Sequence, residues 1–244
     1  HLYERDGKVG GQFNLGAIAP RKHELGKLIN FQTVQLEKAG GTLHLGIEVT
    51  PELVSEFAPD TVVMATGGEP VRPPIPGISG KNVYLAHDIL AGKVVQPYGN
   101  TIVIGGGLVG CEVAECMANL GDNPMIARTK ITILEMLDQF GKEMIVETRT
   151  LTMHDFRELG IDVLTSTKVV DILERGVVVE DKKGNQRTID DVDNIIVAIG
   201  VRPYDVLSDK IKAAVPEVHV IGDAKQARSA LEAIREGAEI GRSI

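Results

Sequence analysis

Tryptophan is absent from this chain, cysteine occurs only twice, and aromatic residues make up 4% of it. Two cysteines cannot build a disulfide framework, so a reducing cytoplasm is the expected compartment. A basic excess is also lacking. The formal net charge is −8, which argues against a nucleic-acid binder, because phosphate contacts need a basic face. No basic amphipathic stretch suits a membrane surface. No apolar run reaches the roughly 18 residues of a membrane span, and no secretory signal is legible. The histidines show no metal-ligand spacing, and no Ser/His/Asp arrangement can be read.

Glycine is what the chain has in plenty, at 27 residues, with 43% hydrophobic residues to build cores. Glycines between Val/Ile-rich runs indicate tight strand-to-helix turns rather than disorder. The chain opens on what reads as the end of a strand, 1–4, so the beginning of that strand is expected upstream. A loop follows at 5–11, then a helix over 23–38 ended by Gly40 and Gly41. A short strand is expected at 42–45, a helix at 51–57 capped by Thr50, and a buried parallel strand at 61–65. Residues 69–80 hold Pro70, Pro73, Pro74 and Pro76, which resist helix and sheet, and read as a connection leaving one domain for another.

Strands at 101–104 and 131–135, helices at 108–120 and 150–159, a strand at 163–172, strands at 177–180 and 187–189 joined by a Lys-Lys-Gly-Asn turn, and a buried strand at 195–199 come next. A strand at 218–221 and a helix at 229–242 end the chain. Alternating strands and helices predict a doubly wound α/β fold. The expected organisation is a Rossmann-like NAD-binding domain, 82–204, set between two parts, 1–81 and 205–244, of one other domain.

The strongest motif is Gly105-Gly106-Gly107-Leu108-Val109-Gly110, a G-x-G-x-x-G sequence between an apolar strand and an amphipathic helix. Gly105 permits the tight turn, Gly107 lets backbone approach a pyrophosphate, and Gly110 lets helix pack on strand. Leu108 and Val109 begin the helix, whose N-terminus stabilises phosphate charge. Glu135 closes the next strand. A carboxylate there accepts hydrogen bonds from ribose hydroxyls and repels the 2′-phosphate of NADP. It falls further along than the roughly 20 residues usual for this motif. The excess lies in 122–130, a helix-to-strand loop expected at the sheet edge opposite the ligand-binding strand ends. The alternative for Glu135 is a solvated strand-end acid. Cys111 and Cys116 sit about 140° apart around one helix, which does not suit a disulfide.

Further segments resemble a known family. Leu2-Tyr3-Glu4 with Gly10-Gly11-Gln12, then Ala65-Thr66-Gly67 and Ile221-Gly222-Asp223, resemble the FAD-domain marks of two-dinucleotide-binding-domain flavoproteins of the pyridine nucleotide-disulfide oxidoreductase type. Ala198-Ile199-Gly200-Val201-Arg202-Pro203 is similar to their marker near the end of the NAD domain. Taken with LYERDGKVGGQFNLGAIAP, HDILAGK, IGGGLVGCE and EVHVIGDAK, they most resemble the C-terminal region of the 2,4-dienoyl-CoA reductase and 2-enoate reductase family of NADH:flavin oxidoreductases.

The resemblance implies that Glu4 binds the ribose of the FAD adenosine and that Gly11 and Gln12 lie along the FAD. It sets Thr66 and Gly67 near the pyrophosphate side. Gly222 and Asp223 would hold the ribityl or phosphate part, with the N-terminus of the last helix facing the flavin ring. Glu112 matches a family acid near the nicotinamide, or is a first-turn helix acid favoured by the dipole. Arg202 contacts NAD phosphates or is simply solvated.

The resemblance also implies cofactors NAD(H) and FAD, the FAD site being incomplete because its own glycine motif belongs upstream of Glu4. FMN, an iron–sulfur cluster and a substrate-reducing barrel domain are implied only for the missing part of the parent. The expected function is passage of hydride from NADH to FAD, feeding reduction of an activated C=C bond. The side chains position the cofactors and need supply no acid or base. Alternatives are a stand-alone NADH:acceptor reductase and a non-catalytic nucleotide-binding module. An FAD domain lacking a strand would expose an edge through which chains could dimerise.

Overall fold

The computed structural model describes residues 1–119 and 130–244. The helix end expected at Leu120 and the insertion at 122–130, Lys130 apart, lie outside the described residues. By compactness the chain divides into two units. One comprises His1–Ala17, His23–Glu69 and Val201–Ile244, and the other Ile18–Lys22 and Pro70–Gly200.

In chain order the first elements are β1 (Leu2–Glu4), α1 (Gly11–Gly16), α2 (Leu25–Lys38), β2 (Leu43–Leu45), α3 (Pro51–Phe57), β3 (Thr61–Met64) and β4 (Gly68–Pro70). Next come β5 (Val83–Leu85), α4 (Ala86–Leu90), β6 (Thr101–Ile104), α5 (Leu108–Asn119), β7 (Ile131–Leu134), α6 (Val146–Leu159) and β8 (Ile161–Leu164). The rest are β9 (Thr167–Leu173), β10 (Gly176–Asp181), β11 (Gln186–Asp190), β12 (Asn194–Val197), β13 (Val201–Pro203), α7 (Ser208–Ile211), β14 (Glu217–Val220) and α8 (Ala230–Ile240).

The second unit is a Rossmann-type α/β domain. Its five strands run parallel in the order β5-β12-β6-β7-β8. From β6 the chain steps outward to β7 and β8, then returns to place β12 on the other side of β6. Strand order therefore reverses at β6, and such a reversal opens a crevice beyond the strands' carboxyl ends. One face of the sheet packs on the antiparallel meander β9-β10-β11. Ile102, Ile104, Leu134, Ile195 and Val197 meet Val169, Ile172, Val177 and Val179 there. Helices α4, α5 and α6 pack against β5, β6 and β7, and β8 in turn, burying Val113, Ala114, Met117 and Phe156.

Two expectations are corrected in this unit. The apolar run 163–172 is not one strand. It is the end of β8 and most of β9, which belong to different sheets. Ser166, in the left-handed region at φ +53°, turns the chain between them, and hydropathy alone carries no mark of that change. The proline-rich stretch after Pro70 is also more than a connection. Ile75 and Ile78 pack on the meander's core, and the Ile172 N–H donates to the Pro76 carbonyl at 3.0 Å.

The first unit carries two parallel strand pairs, β1-β2 and β3-β14, and the short pair β4-β13. Its core gathers Val54 of α3, Met64 of β3, and Leu207, Ile211 and Val215 around α7. Thr50 caps α3 as its sequence predicts, accepting from the Leu53 N–H at 3.3 Å, with Pro51 in the first turn. The strand at 61–65 is not the doubly covered strand that its continuous apolar run predicts. Among the described residues β3 pairs with β14 alone, and Val63 is 36% exposed. Helix α1 went unforeseen because its six residues, GQFNLG, are too few to show a helical period.

Candidate dinucleotide site

The glycine turn, Glu135 and Gly200 lie at the carboxyl edge of the second unit's parallel sheet. Gly105 follows β6, Glu135 follows β7, and Gly200 lies just beyond β12. Gly105 adopts φ +105°, a conformation glycine takes at no steric cost. A Cβ on it would lie 2.4 Å from the Ala198 carbonyl oxygen. The turn is thus seated directly against the end of β12, at the point where strand order reverses.

The other glycines separate by role. A Cβ on Gly110 would fall 1.9 Å from the Gly105 carbonyl oxygen, so this glycine lets α5 start tight against its own turn. A Cβ on Gly107 would meet only the Glu143 Oε2, at 3.8 Å. Space at Gly107 is therefore not demanded by packing within the chain. It is a cradle that a side chain would fill, as a pyrophosphate requires. Leu108 and Val109 open α5, whose first turn contains no acid.

Glu135 is 8% exposed. Its Oε2 accepts from the Gly106 N–H at 2.7 Å and its Oε1 from the Leu137 N–H at 2.7 Å. It is therefore not the freely solvated strand-end acid of the alternative reading. Each carboxylate oxygen retains capacity to accept one more hydrogen bond, as a ribose diol would need.

Glu112 lies beyond the first turn of α5, so the dipole does not account for it. Its Oε1 accepts from the Lys22 Nζ at 2.8 Å, with both in the second unit. Nothing in sequence spacing signalled Lys22, which lies in a different stretch of chain. Nearby Glu115 is buried, and burial pushes its carboxyl up, with Arg21 pulling the other way. Arg21 is itself paired with Asp155. Cys111 and Cys116 are free thiols, pushed by burial to about 12 and about 11 respectively. Neither is a thiolate near neutrality.

The remaining predicted residues fall in the first unit, Gly11 and Gln12 in α1 and the others at strand ends. Glu4 ends β1, and its Oε1 accepts from the Asp6 N–H at 2.9 Å. Thr66 and Gly67 follow β3, and Gly222 and Asp223 follow β14, its parallel partner. The Thr66 hydroxyl donates to the Tyr204 carbonyl. Gly67 at φ +75° and Gly11 at φ +44° both face open space where a Cβ would stand. Gln12 donates to the Gly68 carbonyl at 3.1 Å.

The Gly222 N–H donates to Glu236 Oε2 at 2.7 Å, and Arg228 pairs with the same carboxylate. The Arg228 N–H donates to Asp223 Oδ1 at 3.0 Å. Glu236 and Arg228 thus shape this turn, and no motif marks either of them in the sequence. Arg202 is paired with Glu69 at 2.7 Å, which gives it a partner on the protein itself. Among the described residues no group of three or more metal-ligating side chains gathers. No helix there is long and apolar enough to cross a membrane.

A family model described as pyridine nucleotide-disulphide oxidoreductase matches residues 8–237. The chain is 34% identical over 247 residues to an NADH oxidase of Thermoanaerobacter brockii, covering 100% of this chain and 37% of that protein. It is 28% identical to a cinnamate reductase of Clostridium sporogenes, covering 100% of this chain and 35% of that one. Among solved structures, a 2-naphthoyl-CoA reductase in complex with 2-naphthoyl-CoA superposes with a TM-score of 0.89 at 31% identity. That match covers 99% of this chain and 36% of the reductase. The chain therefore spans about a third of the length of these relatives.

Proposed function

The chain belongs to the pyridine nucleotide-disulphide oxidoreductase family, and from that premise we propose that it forms the NADH-to-flavin half of a larger cytoplasmic reductase. The observation that carries the reading is the pair Gly107 and Glu135: an open cradle at the end of β6 beside a buried carboxylate at the end of β7. The first would receive the pyrophosphate of NADH and the second its adenosine ribose. A carboxylate at the adenosine ribose would repel a 2′-phosphate, which favours NADH over NADPH. Replacing Glu135 with Ala should narrow that preference without abolishing turnover.

In the first unit Glu4, Gly11, Gln12, Thr66, Gly67, Gly222 and Asp223 would hold FAD, with the glycines leaving room for it. When bound, NADH and FAD supply the hydride chemistry. The chain orients them and holds charge. The Glu112–Lys22 pair would present a neutralised, buried acid beside the nicotinamide.

The larger size of the relatives supports a further domain, such as a barrel with FMN and an iron–sulfur cluster. The cinnamate and naphthoyl-CoA reductases favour an activated C=C bond or conjugated thioester as the terminal substrate. The test is anaerobic mixing of the full-length protein with NADH. Loss of the visible flavin absorbance within a turnover time is the expected result. A flavin that stays oxidised would favour a non-catalytic nucleotide-binding module instead.

A further inference from the structure

The loop after β7 doubles back onto the glycine turn. The Gly141 N–H donates to the Gly106 carbonyl at 2.6 Å. The Phe140 Cβ lies 3.1 Å from where a Cβ on Gly106 would be. Phe140 is itself anchored, buried to 5% exposure with its ring 5.9 Å from that of Phe156. Gly141 then bends the chain at φ +56°. This path delivers the acid Glu143 to the mouth of the turn. Its Oε2 lies 3.8 Å from the position a Cβ would take on Gly107.

The start of α5 supplies N–H groups without intrahelical partners and the positive end of a dipole, and its first turn carries no acid of its own. An anion is favoured there, and the loop provides one. Glu143 is exposed. Among the described residues no hydrogen bond or ion pair fixes its carboxylate, so it is free to leave.

We propose that Glu143 is an anionic gate on the dinucleotide site: its carboxylate, 3.8 Å from where a Cβ on Gly107 would stand, shares the pyrophosphate cradle and must withdraw for a dinucleotide to bind. This rests on the assignment of the glycine turn to NADH. The gate acts on phosphate charge alone. It weakens any ligand that brings a pyrophosphate to the turn and leaves a phosphate-free nucleoside untouched.

The test is titration of the chain and its Glu143→Gln variant with NADH and with adenosine, at low and high salt. The variant should bind NADH about fivefold more tightly at low salt, the worth of one unit charge at ~4 Å in water. The gain should shrink as salt screens the repulsion, and adenosine affinity should not change. Circular dichroism checks that the exposed substitution leaves the fold intact. Equal NADH affinity in the two chains overturns the gate, as does an equal gain for adenosine. If neither chain binds NADH, the gate falls together with the site assignment on which it rests.

Discussion

Gly107 and Gly110 belong to one motif but answer to different constraints. At Gly110 the neighbour is the chain's own backbone, with 1.9 Å between a would-be Cβ and the Gly105 carbonyl oxygen. Gly110→Ala should therefore cost stability, by about 1–3 kcal/mol as overpacking does, read as a lower thermal midpoint. Gly107→Val meets no backbone. It should keep the midpoint and weaken NADH binding at least about tenfold, a loss of roughly 1.4 kcal/mol. Unchanged affinity would mean that the motif is only a turn.

Glu115 gives a pH-dependent counterpart. Burial raises its carboxyl above the ordinary range, so folding favours its protonated form. The stability it allows is present at low pH and is lost as pH rises through the raised value. Glu115→Gln should leave the thermal midpoint unchanged near pH 4 and raise it by a few degrees near pH 8, at about 2–4 °C per kcal/mol. A gain of equal size at both pH values would show that Glu115 does not titrate between them.

At the scale of elements, chemistry that is local in sequence was legible and chemistry that depends on distant partners was not. Thr50-Pro51 marked the start of α3 because a cap and a fixed φ are properties of adjacent residues. Thr50→Ala removes the acceptor for the Leu53 N–H, which costs about 1 kcal/mol. Amide exchange within α3 should quicken about fivefold, while that in β6, in the other unit, stays unchanged. The spacing of Gly105, Gly107 and Gly110 was legible for the same local reason. The break between β8 and β9 was not, because both strands are apolar and only the backbone at Ser166 separates them. The partners Lys22 for Glu112 and Glu236 for Gly222 were hidden too, since folding alone brings those stretches together. Helix α2 shows the limit of periodicity. Its apolar residues have helical spacing, yet none is buried, and Phe31 is 60% exposed.

For the molecule as a whole, the two units differ in how much of a nucleotide-binding sheet they display. The second has five parallel strands with its candidate site at their carboxyl edge. The first has its candidate residues at the ends of separate two-stranded pairs and in the short helix α1. Dinucleotide binding in the second unit therefore tests the account most directly. The measurement is equilibrium titration of this chain with NADH, with NADPH run in parallel. The account predicts saturable binding of one NADH per chain and several-fold weaker binding of NADPH. No binding of NADH, or NADPH bound as tightly as NADH, would contradict it.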